Sequence, residues 1–248
     1  GRRPEKQPRG RPVVLWPDTF NDHFEPRVLI AAVDVLEAAG FDVVLPPPSL
    51  CCGRPLYDFG MLDRAKERLR ESMRVLAPVV AAGIPVVGVE PSCVAVFRDE
   101  LLQFFPEDET AKTLASQTLM LDELLAGLDD WRPPARPGKM ILHGHCHQKA
   151  VMGIDGEVSV LERMSADLDV LDAGCCGMAG AFGYERGHYD VSVACAERRL
   201  LPAVRGAAED TILVADGFSC RQQISQLSGR RALHLAEVLS LAAHSRSA

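Results

Sequence analysis

The sequence lacks any apolar run close to the roughly 20 residues that a membrane-spanning helix requires. The longest candidate, residues 75–89, is interrupted by Pro78 and Pro85. No apolar segment follows the basic first 12 residues, so the sequence shows no signal peptide. The net charge is −7, and Lys and Arg do not cluster beyond those 12 residues, which argues against nucleic-acid binding. We therefore expect a cytoplasmic protein without a transmembrane segment.

Several catalytic motifs are also missing. The sequence contains no G-x-G-x-x-G after a strand pattern, no P-loop, no G-x-S-x-G and no H-E-x-x-H. The C-x₂-C-x₂-C-x₃-C-P run of bacterial ferredoxins is absent as well. The chain therefore shows no flavin or nicotinamide site of its own.

The eight cysteines are too few in 248 residues for a disulfide scaffold, but they are clustered. Cys175 and Cys176 are adjacent in the segment LDAGCCGMAGAFGY. Neighbouring side chains of a helix or strand point in different directions, so two adjacent thiols reach one ligand only where the backbone turns sharply. Gly174 and Gly177 are expected to permit that turn. Thiolates favour iron–sulfur clusters, zinc or Cu(I), which predicts a ligand loop with reduced thiols.

Strand and helix patterns alternate along the chain. Short apolar runs predict strands at residues 12–16, 41–45, 84–90, 140–142, 168–171 and 211–215. Helical spacing predicts helices at residues 28–39, 61–80, 91–104, 110–128, 158–164, 189–200 and 234–242, with one more after Cys220. Gly40 follows the first of these helices as a typical helix-ending residue. The alternation indicates an α/β fold with parallel strands.

The two halves of the chain resemble each other. Three segments recur in the same order: residues 13–20 with 140–147, 45–53 with 169–177, and 86–93 with 212–220. We therefore predict two α/β repeats related by a pseudo-twofold axis, with the cysteines at the carboxyl ends of the strands, where such sheets bind ligands. The predicted domains are a linker or disordered segment at 1–11, repeats at 12–130 and 139–248, and a proline-rich connection at 131–138.

The repeat groups the cysteines into two sets. The second half supplies four thiols that each follow a predicted strand: Cys146, Cys175, Cys176 and Cys220. Four thiolates suffice for a [4Fe–4S] cluster or for tetrahedral zinc. The first half supplies Cys51, Cys52 and Cys93. At the position that corresponds to Cys146 it has Thr19 instead of a cysteine. This half either binds zinc with the help of Asp18, Asp22 or His23, or is a metal-free relic.

Other candidate residues lie near these thiols. His145 and His147 flank Cys146 and either bind metal, handle protons or hydrogen-bond to backbone. Glu90 and Asp216 precede Cys93 and Cys220, and either support the ligands or cap helices. The remaining cysteine and histidines are expected on the surface or in packing: Cys195, His188, His234 and His244.

At these residues the sequence resembles the cysteine-rich CCG domain family. That family includes a subunit of heterodisulfide reductase, glycolate oxidase iron–sulfur subunits and the carboxyl-terminal part of bacterial FAD-linked D-2-hydroxy-acid oxidases. The segments that look closest to the oxidases are PDTFNDHFEP, LCCGRPLYDFGMLDRAK, EPSCVAVFRDEL, HGHCHQKAV, AGCCGMAGAFGYE and DGFSCRQQI. The resemblance covers residues 13–242.

The resemblance implies an iron–sulfur domain that passes electrons from a flavin to a quinone, a carrier protein or another acceptor. FAD would be held by an upstream domain or a partner subunit, and the chain would be a non-catalytic part of an oxidoreductase acting on CH–OH groups. A peripheral position at the inner membrane face is compatible with this role. Thr19, Gly217 and a residue at or next to Glu90 replace family cysteines, so the implied site is one four-thiolate [4Fe–4S] centre in the second half.

Two other interpretations remain open at this point. The halves could carry zinc or no metal and form a docking module of a larger oxidase. The adjacent cysteines could instead perform thiol–disulfide exchange, because a disulfide between neighbouring residues is strained and easily reduced.

Overall fold

The computed structural model describes residues 10–245, and in this range the strands form two four-stranded parallel sheets. The strands are β1 (Arg11–Trp16), β2 (Phe41–Val44), β3 (Val86–Gly88), β4 (Thr118–Met120), β5 (Gly138–Leu142), β6 (Ala166–Val170), β7 (Ile212–Val214) and β8 (Ala232–Leu233). Their orders are β2-β1-β3-β4 and β6-β5-β7-β8. The same order recurs in both sheets, which confirms the predicted α/β fold of two repeat-like halves. Most of the predicted linker, residues 1–9, lies outside the described residues, and β1 already begins at Arg11.

The first strand of each half lies inside its sheet. Val14 of β1 pairs with Val44 of β2 and with Val86 of β3. In the second sheet, β5 pairs in the same way with β6 and β7. All of these pairs are parallel, so the carboxyl ends of the strands meet at one edge of each sheet.

Helices cover the sheets, as is usual for parallel strands. They are α1 (Thr19–Phe24), α2 (Pro26–Ala38), α3 (Arg54–Asp58), α4 (Leu62–Ala81), α5 (Pro91–Ala95), α6 (Leu101–Phe104), α7 (Glu109–Gln117), α8 (Leu121–Ala126), α9 (Asp155–Arg163), α10 (Tyr189–Glu197), α11 (Leu200–Gly206), α12 (Phe218–Ser228) and α13 (Leu235–His244). The π-helical turn Val96–Glu100 joins α5 to α6, and another spans Gln148–Met152. Helix α2 begins at Pro26 and is followed by Gly40 at φ +87°, the helix-ending conformation predicted for this glycine.

Two predicted helices are wrong, and several short elements were not predicted. The helix expected over residues 110–128 is interrupted by β4, because Thr118 and Met120 pair with β3 and are buried. The helix expected over residues 189–200 ends at Glu197, and α11 starts separately at Leu200. The two-residue strand β8 was not predicted, because so short an element has no periodicity to detect.

The halves share a hydrophobic core. One buried cluster contains Val13, Val28 and Leu121 from the first half together with Leu142 and Leu239 from the second. Each half also has a core of its own, and Cys52 and Cys93 belong to one while Cys176 and Cys220 belong to the other. The thiol sets therefore lie against packed, largely dry interiors.

Polar contacts join the halves as well. The Arg221 guanidinium, 2% exposed, donates from Nε to Glu25 at 2.8 Å and from Nη2 to Asn21 at 2.7 Å. His234 lies 2.8 Å from the Val89 carbonyl oxygen through Nε2. The orientation of the two repeats is thus held by buried hydrogen bonds in addition to apolar packing.

Candidate metal centre

The structure places all seven predicted ligand cysteines after the carboxyl ends of strands. Cys51 and Cys52 follow β2, and Cys93 lies in α5 after β3. In the second half the order repeats, with Cys146 after β5, the adjacent pair after β6, and Cys220 in α12 after β7. Because the strands of each sheet are parallel, each set gathers at one sheet edge.

The four thiols of the second half form a continuous chain of contacts. Cys175 contacts both Cys146 and Cys176, and Cys176 also contacts Cys220. The hydrogen bond to Cys175, and then burial, raise the pKa of Cys146, whereas hydrogen bonds from Cys146 and Cys176 lower the pKa of Cys175. Thiolates this close repel one another, so the four ionise together only with a cationic centre between them.

The three thiols of the first half are also in contact. Cys52 and Cys93 lie 3.1 Å apart between their Sγ atoms, and Cys52 contacts Cys51. A small cavity of about 130 Å³ adjoins them and is lined by Asp18 and Thr19. Thr19 hydrogen-bonds to Cys51, so its side chain lies where the sequence repeat predicts the matching ligand.

Of the three residues predicted as a possible fourth ligand in the first half, only Asp18 lines this cavity. Its carboxylate accepts hydrogen bonds from the Phe20 and Asn21 amides at 3.1 and 2.9 Å. Asp22 and His23 contact each other at the surface instead. Asp18 therefore caps α1, and the first half offers three thiols with a hydroxyl beside them.

The two glycines that flank Cys175 and Cys176 differ in backbone conformation. Gly177 has φ +93°, and a Cβ there would lie 2.1 Å from the Ser192 carbonyl oxygen. Its amide donates to the Cys175 sulfur at 3.3 Å, as the Gly53 amide does to Cys51 at 3.4 Å. Gly174 has no positive φ, and a Cβ there would meet nothing within 4 Å. The expectation that Gly174 also permits the turn is therefore wrong, because Gly177 alone carries the left-handed conformation there.

We expect Gly177→Ala to destabilise the fold by at least about 2 kcal/mol, because the left-handed conformation alone costs a side chain about 1–3 kcal/mol and the new methyl group overlaps Ser192. The matched control is Gly174→Ala, which should change the stability little. Urea unfolding of both variants checks this. Equal stabilities of the two variants would show that the turn tolerates a side chain.

A larger cavity of about 660 Å³ opens between the halves beside the four-thiol set. The first half contributes Phe20, Arg54 and Glu90 to its wall, and the second half contributes Cys146 and Cys175. Further aromatic side chains line it: Phe59, Phe182, Tyr184 and Phe218. Cys146, Cys175 and Cys176 thus border this cavity, whereas Cys220 does not.

The histidines beside Cys146 lie in the cavity wall. The donor atoms of His145, Cys146 and His147 all lie within 4.8 Å of one another. Burial, followed by the nearby Arg54 charge, lowers the pKa of His147 to about 4, so its imidazole is neutral near pH 7 and has a ring nitrogen free of a proton for binding a metal. His145 packs against Gly217, where a Cβ would fall 2.2 Å from its ring.

The two predicted carboxylates act as caps. Glu90 is buried and accepts hydrogen bonds from the Ser92 hydroxyl and from the Phe218 amide, both at 2.8 Å. Burial raises its pKa. The Asp216 carboxylate accepts a hydrogen bond at 2.8 Å from the amide of Leu235, the first residue of α13. Glu90 therefore caps α5 and also joins it to the start of α12 in the other half.

Sequence reasoning missed two arginines. Arg54 follows the first CCG segment and forms ion pairs with Asp58 and Glu100 beside the large cavity. Arg221 follows Cys220 and joins the two halves. Their positions just after ligand segments are the available signal, as is the i,i+4 spacing of Arg54 and Asp58. The partners Glu100 and Glu25 lie too far along the chain to be inferred.

His143 hydrogen-bonds to Cys220, whereas Cys195 and three other histidines take no part in the chains of thiol contacts. His188 stacks on Phe182 with ring centroids 4.2 Å apart. His244 is exposed and hydrogen-bonds to the Ser240 carbonyl oxygen. His234 is completely buried and caps α13 through the Ala236 amide. Cys195 is half-buried in α10.

Comparisons with known proteins found one family model and several similar proteins. Residues 18–98 match the family model CCG, described as a cysteine-rich domain. The chain is 30% identical to the D-2-hydroxyglutarate dehydrogenase of Pseudomonas putida over 93% of its own length and 22% of that protein. It is 26% identical to one subunit of the anaerobic glycerol-3-phosphate dehydrogenase of Escherichia coli K12, covering 93% of the chain and 59% of that protein.

A third relative is similar along almost its whole length. Lactate utilization protein A of Geobacillus thermodenitrificans is 28% identical over 92% of the chain and 98% of that protein. By contrast, the chain spans only about a fifth (22%) of the length of the D-2-hydroxyglutarate dehydrogenases it matches first. In residues 10–245, none of the helices has the length and apolarity needed to cross a membrane. The predicted resemblance to the cysteine-rich CCG domain family is confirmed by these matches.

Proposed function

We propose that the chain is an iron–sulfur electron-transfer domain of a FAD-dependent D-2-hydroxy-acid oxidoreductase. The observation that carries this proposal is the chain of contacts between Cys146, Cys175, Cys176 and Cys220 at one sheet edge. The relatives are oxidoreductases by name, which supports the same class for this chain.

Two cofactors fit four thiolates by ligand count, a [4Fe–4S] cluster and a tetrahedral zinc ion. Zinc has no redox chemistry, whereas the relatives are oxidoreductases by name. This comparison favours the cluster.

The four cysteines would hold the cluster, which supplies a one-electron carrier when bound. The surrounding residues of this chain set its environment. The Gly177 amide hydrogen-bonds to the Cys175 sulfur, and Cys176 and Cys220 are almost completely buried. Hydrogen bonds to sulfur and solvent exclusion are two means by which proteins tune a cluster's potential. His145 and His147 shield the cavity side of Cys146, and Glu90 and Asp216 support the loops.

In the first half we propose a second metal site at Cys51, Cys52 and Cys93. Its three thiols meet beside the cavity that Thr19 lines, which leaves one ligand position without a thiol. Zinc would complete its coordination there with a non-thiol ligand; the alternative is a degenerate site that holds no metal.

The partners follow from the proposed role. FAD would lie on an upstream domain or a partner subunit, and the substrate would be oxidised there. The large cavity gives an acceptor, a quinone or a carrier protein, access to the Cys146 and Cys175 side of the centre. We propose that the chain acts in the cytoplasm or peripherally at the inner membrane face, as two repeats at residues 12–130 and 139–248.

The convergence of His145, Cys146 and His147 favours a second candidate function, a docking module of a larger oxidase with structural zinc. Neutral imidazoles and a thiolate are common zinc ligands. In that case the chain would carry no electrons.

Metal analysis distinguishes these functions. Iron, acid-labile sulfide and zinc are measured on chain purified without oxygen, with absorption spectra before and after dithionite. We expect about four irons and four sulfides per cluster and absorbance that dithionite bleaches. Zinc without sulfide would establish the docking module. Neither metal, with reactive thiols in a folded chain, would establish a relic domain or a thiol switch.

A further inference from the structure

We propose that Glu157 and Asp216 share one proton in the interior, and that this proton fixes the loops carrying Cys146 and Cys220. Both carboxyl groups are buried, with exposures of 0% and 1%. Glu157 lies in α9, and Asp216 lies between β7 and α12. Neither belongs to either thiol set.

The hydrogen bonds of this pair leave two oxygens without a partner. Glu157 Oε2 accepts from Gln148 Nε2 at 3.1 Å, and Asp216 Oδ1 accepts from the Leu235 amide at 2.8 Å. Glu157 Oε1 and Asp216 Oδ2 are buried and unpartnered, yet the two side chains are within hydrogen-bonding reach of each other. Ionised carboxylates only accept hydrogen bonds. One proton between these carboxyl groups turns one into a donor and satisfies both oxygens.

A bound cation does not explain the pair. Among residues 10–245, the converging set of potential ligands contains no carboxylate. His234 lies 3.5 Å from Asp216, but its Nδ1 accepts from the Ala236 amide while Nε2 faces the Val89 carbonyl oxygen. A ring that accepts at one nitrogen and donates at the other is neutral. Arg221 is directed to Glu25 and Asn21 and contacts only the backbone oxygen of Asp216.

A third buried carboxyl group faces the pair. Asp122 of α8 is completely buried, and both of its oxygens are unpartnered. A Cβ on Gly156, the residue before Glu157, would lie 2.7 Å from Asp122 Oδ2. Its neighbour Glu123 is neutralised by Arg98 at 2.7 Å. Buried negative charges without a cation are unfavourable by several kcal/mol each, so the three carboxyl groups together retain protons near neutral pH instead of carrying three charges.

The shared proton links the two loops of the thiol centre. Gln148 lies two residues after Cys146 and donates to Glu157. Asp216 lies four residues before Cys220, and its backbone oxygen accepts from Arg221 at 2.6 Å. Glu157 contacts both of them, Gln148 through a hydrogen bond and Asp216 through the shared proton. Glu157 and Asp216 are thus positioning residues, and loss of the proton would place two like charges between the loops.

The sign of the pH dependence follows. Burial raises the pKa of Glu157, and the Asp216 and Asp122 charges raise it further. Burial also raises the pKa of Asp122 to about 8, with smaller contributions from the Asp216 and Glu123 charges. In the unfolded chain both groups titrate at about pH 4. The stability that protonation provides is therefore complete at acidic pH and is lost as the pH rises from about 4 toward the folded values.

The test compares Glu157→Gln with Glu162→Gln, an exposed glutamate of the same helix. We measure infrared spectra of the full chain near neutral pH in H₂O and D₂O. Wild type and Glu162→Gln should show the carbonyl stretch of a protonated carboxylic acid with its deuterium shift, and Glu157→Gln should lose part of that band. Asp122→Asn identifies the part that belongs to Asp122.

A second measurement follows thermal unfolding and metal content between about pH 5 and about pH 8. The midpoint should fall with pH in wild type and Glu162→Gln and fall less steeply in Glu157→Gln, because glutamine keeps the donor without a charge. Metal content should also fall more steeply with pH in wild type and Glu162→Gln than in Glu157→Gln. This readout rests on the proposed function, whereas the infrared and unfolding measurements need no metal. If wild type shows no protonated-acid band, or Glu157→Gln matches Glu162→Gln in both measurements, the shared proton does not exist. If Glu157→Gln fails to fold, Asp122→Asn decides instead, because loss of the whole protonated-acid band in Asp122→Asn would also contradict the shared proton.

Discussion

Cys176→Ser should abolish metal binding in the second half. Cys176 is the thiol that joins Cys175 to Cys220 in the contact chain, and it is only 3% exposed. A serine hydroxyl is a hard, weakly acidic ligand and does not replace a thiolate toward iron in a cluster. Iron and sulfide in this half should fall to near zero after anaerobic purification, together with the absorbance that dithionite bleaches.

The matched control is Cys195→Ser. Cys195 is a free, half-buried thiol of α10 and takes no part in the chain of thiol contacts of the second half. It should retain the metal content and spectrum of wild type. Undiminished cluster absorbance in Cys176→Ser would remove this residue from the ligands, and equal losses in both variants would indicate a general folding defect instead.

Arg221→Met should destabilise the chain by about 3–5 kcal/mol, the usual cost of removing one partner of a buried ion pair. The variant leaves the Glu25 carboxylate buried without its 2.8 Å partner. It also leaves the Asn21 side-chain oxygen and the Ala215 and Asp216 carbonyl oxygens without donors. Urea unfolding monitored by circular dichroism measures the change in the free energy of unfolding.

The comparison for Arg221 is an exposed ion pair of the same type. Arg68 contacts Glu71 one turn along α4 at 3.1 Å, and both side chains are about half exposed. Such pairs contribute about 0–1 kcal/mol, so Arg68→Met should change the stability little. Addition of Glu25→Gln to Arg221→Met should restore part of the lost stability, because it removes the buried charge that has lost its 2.8 Å partner and keeps only the half-exposed Arg27 nearby. A loss in Arg221→Met no larger than that in Arg68→Met would contradict a structural role for the buried pair.

Much of the fold was predictable because it depends on local patterns. Short apolar runs followed by helical spacing gave the principal strands within a few residues, and Gly40 ended its helix as predicted. The secondary-structure predictions failed where the local sequence pattern and the pairing of strands favour different structures. Residues 118–120 continue a helical pattern, but pairing with β3 makes them a strand.

The sequence by itself determined the two sets of cysteines, because a duplicated order of strand and CCG segments leads to matching positions at parallel strand ends. The tertiary structure alone decided how the halves face each other. Glu25 and Arg221 are 196 residues apart and Glu90 and Phe218 are 128 apart, and nothing local links such pairs. The large cavity and the proposed shared proton of Glu157 and Asp216 could not be predicted for the same reason. Both depend on burial and on close contact between residues that are far apart in the sequence, and only the packing of the chain produces these.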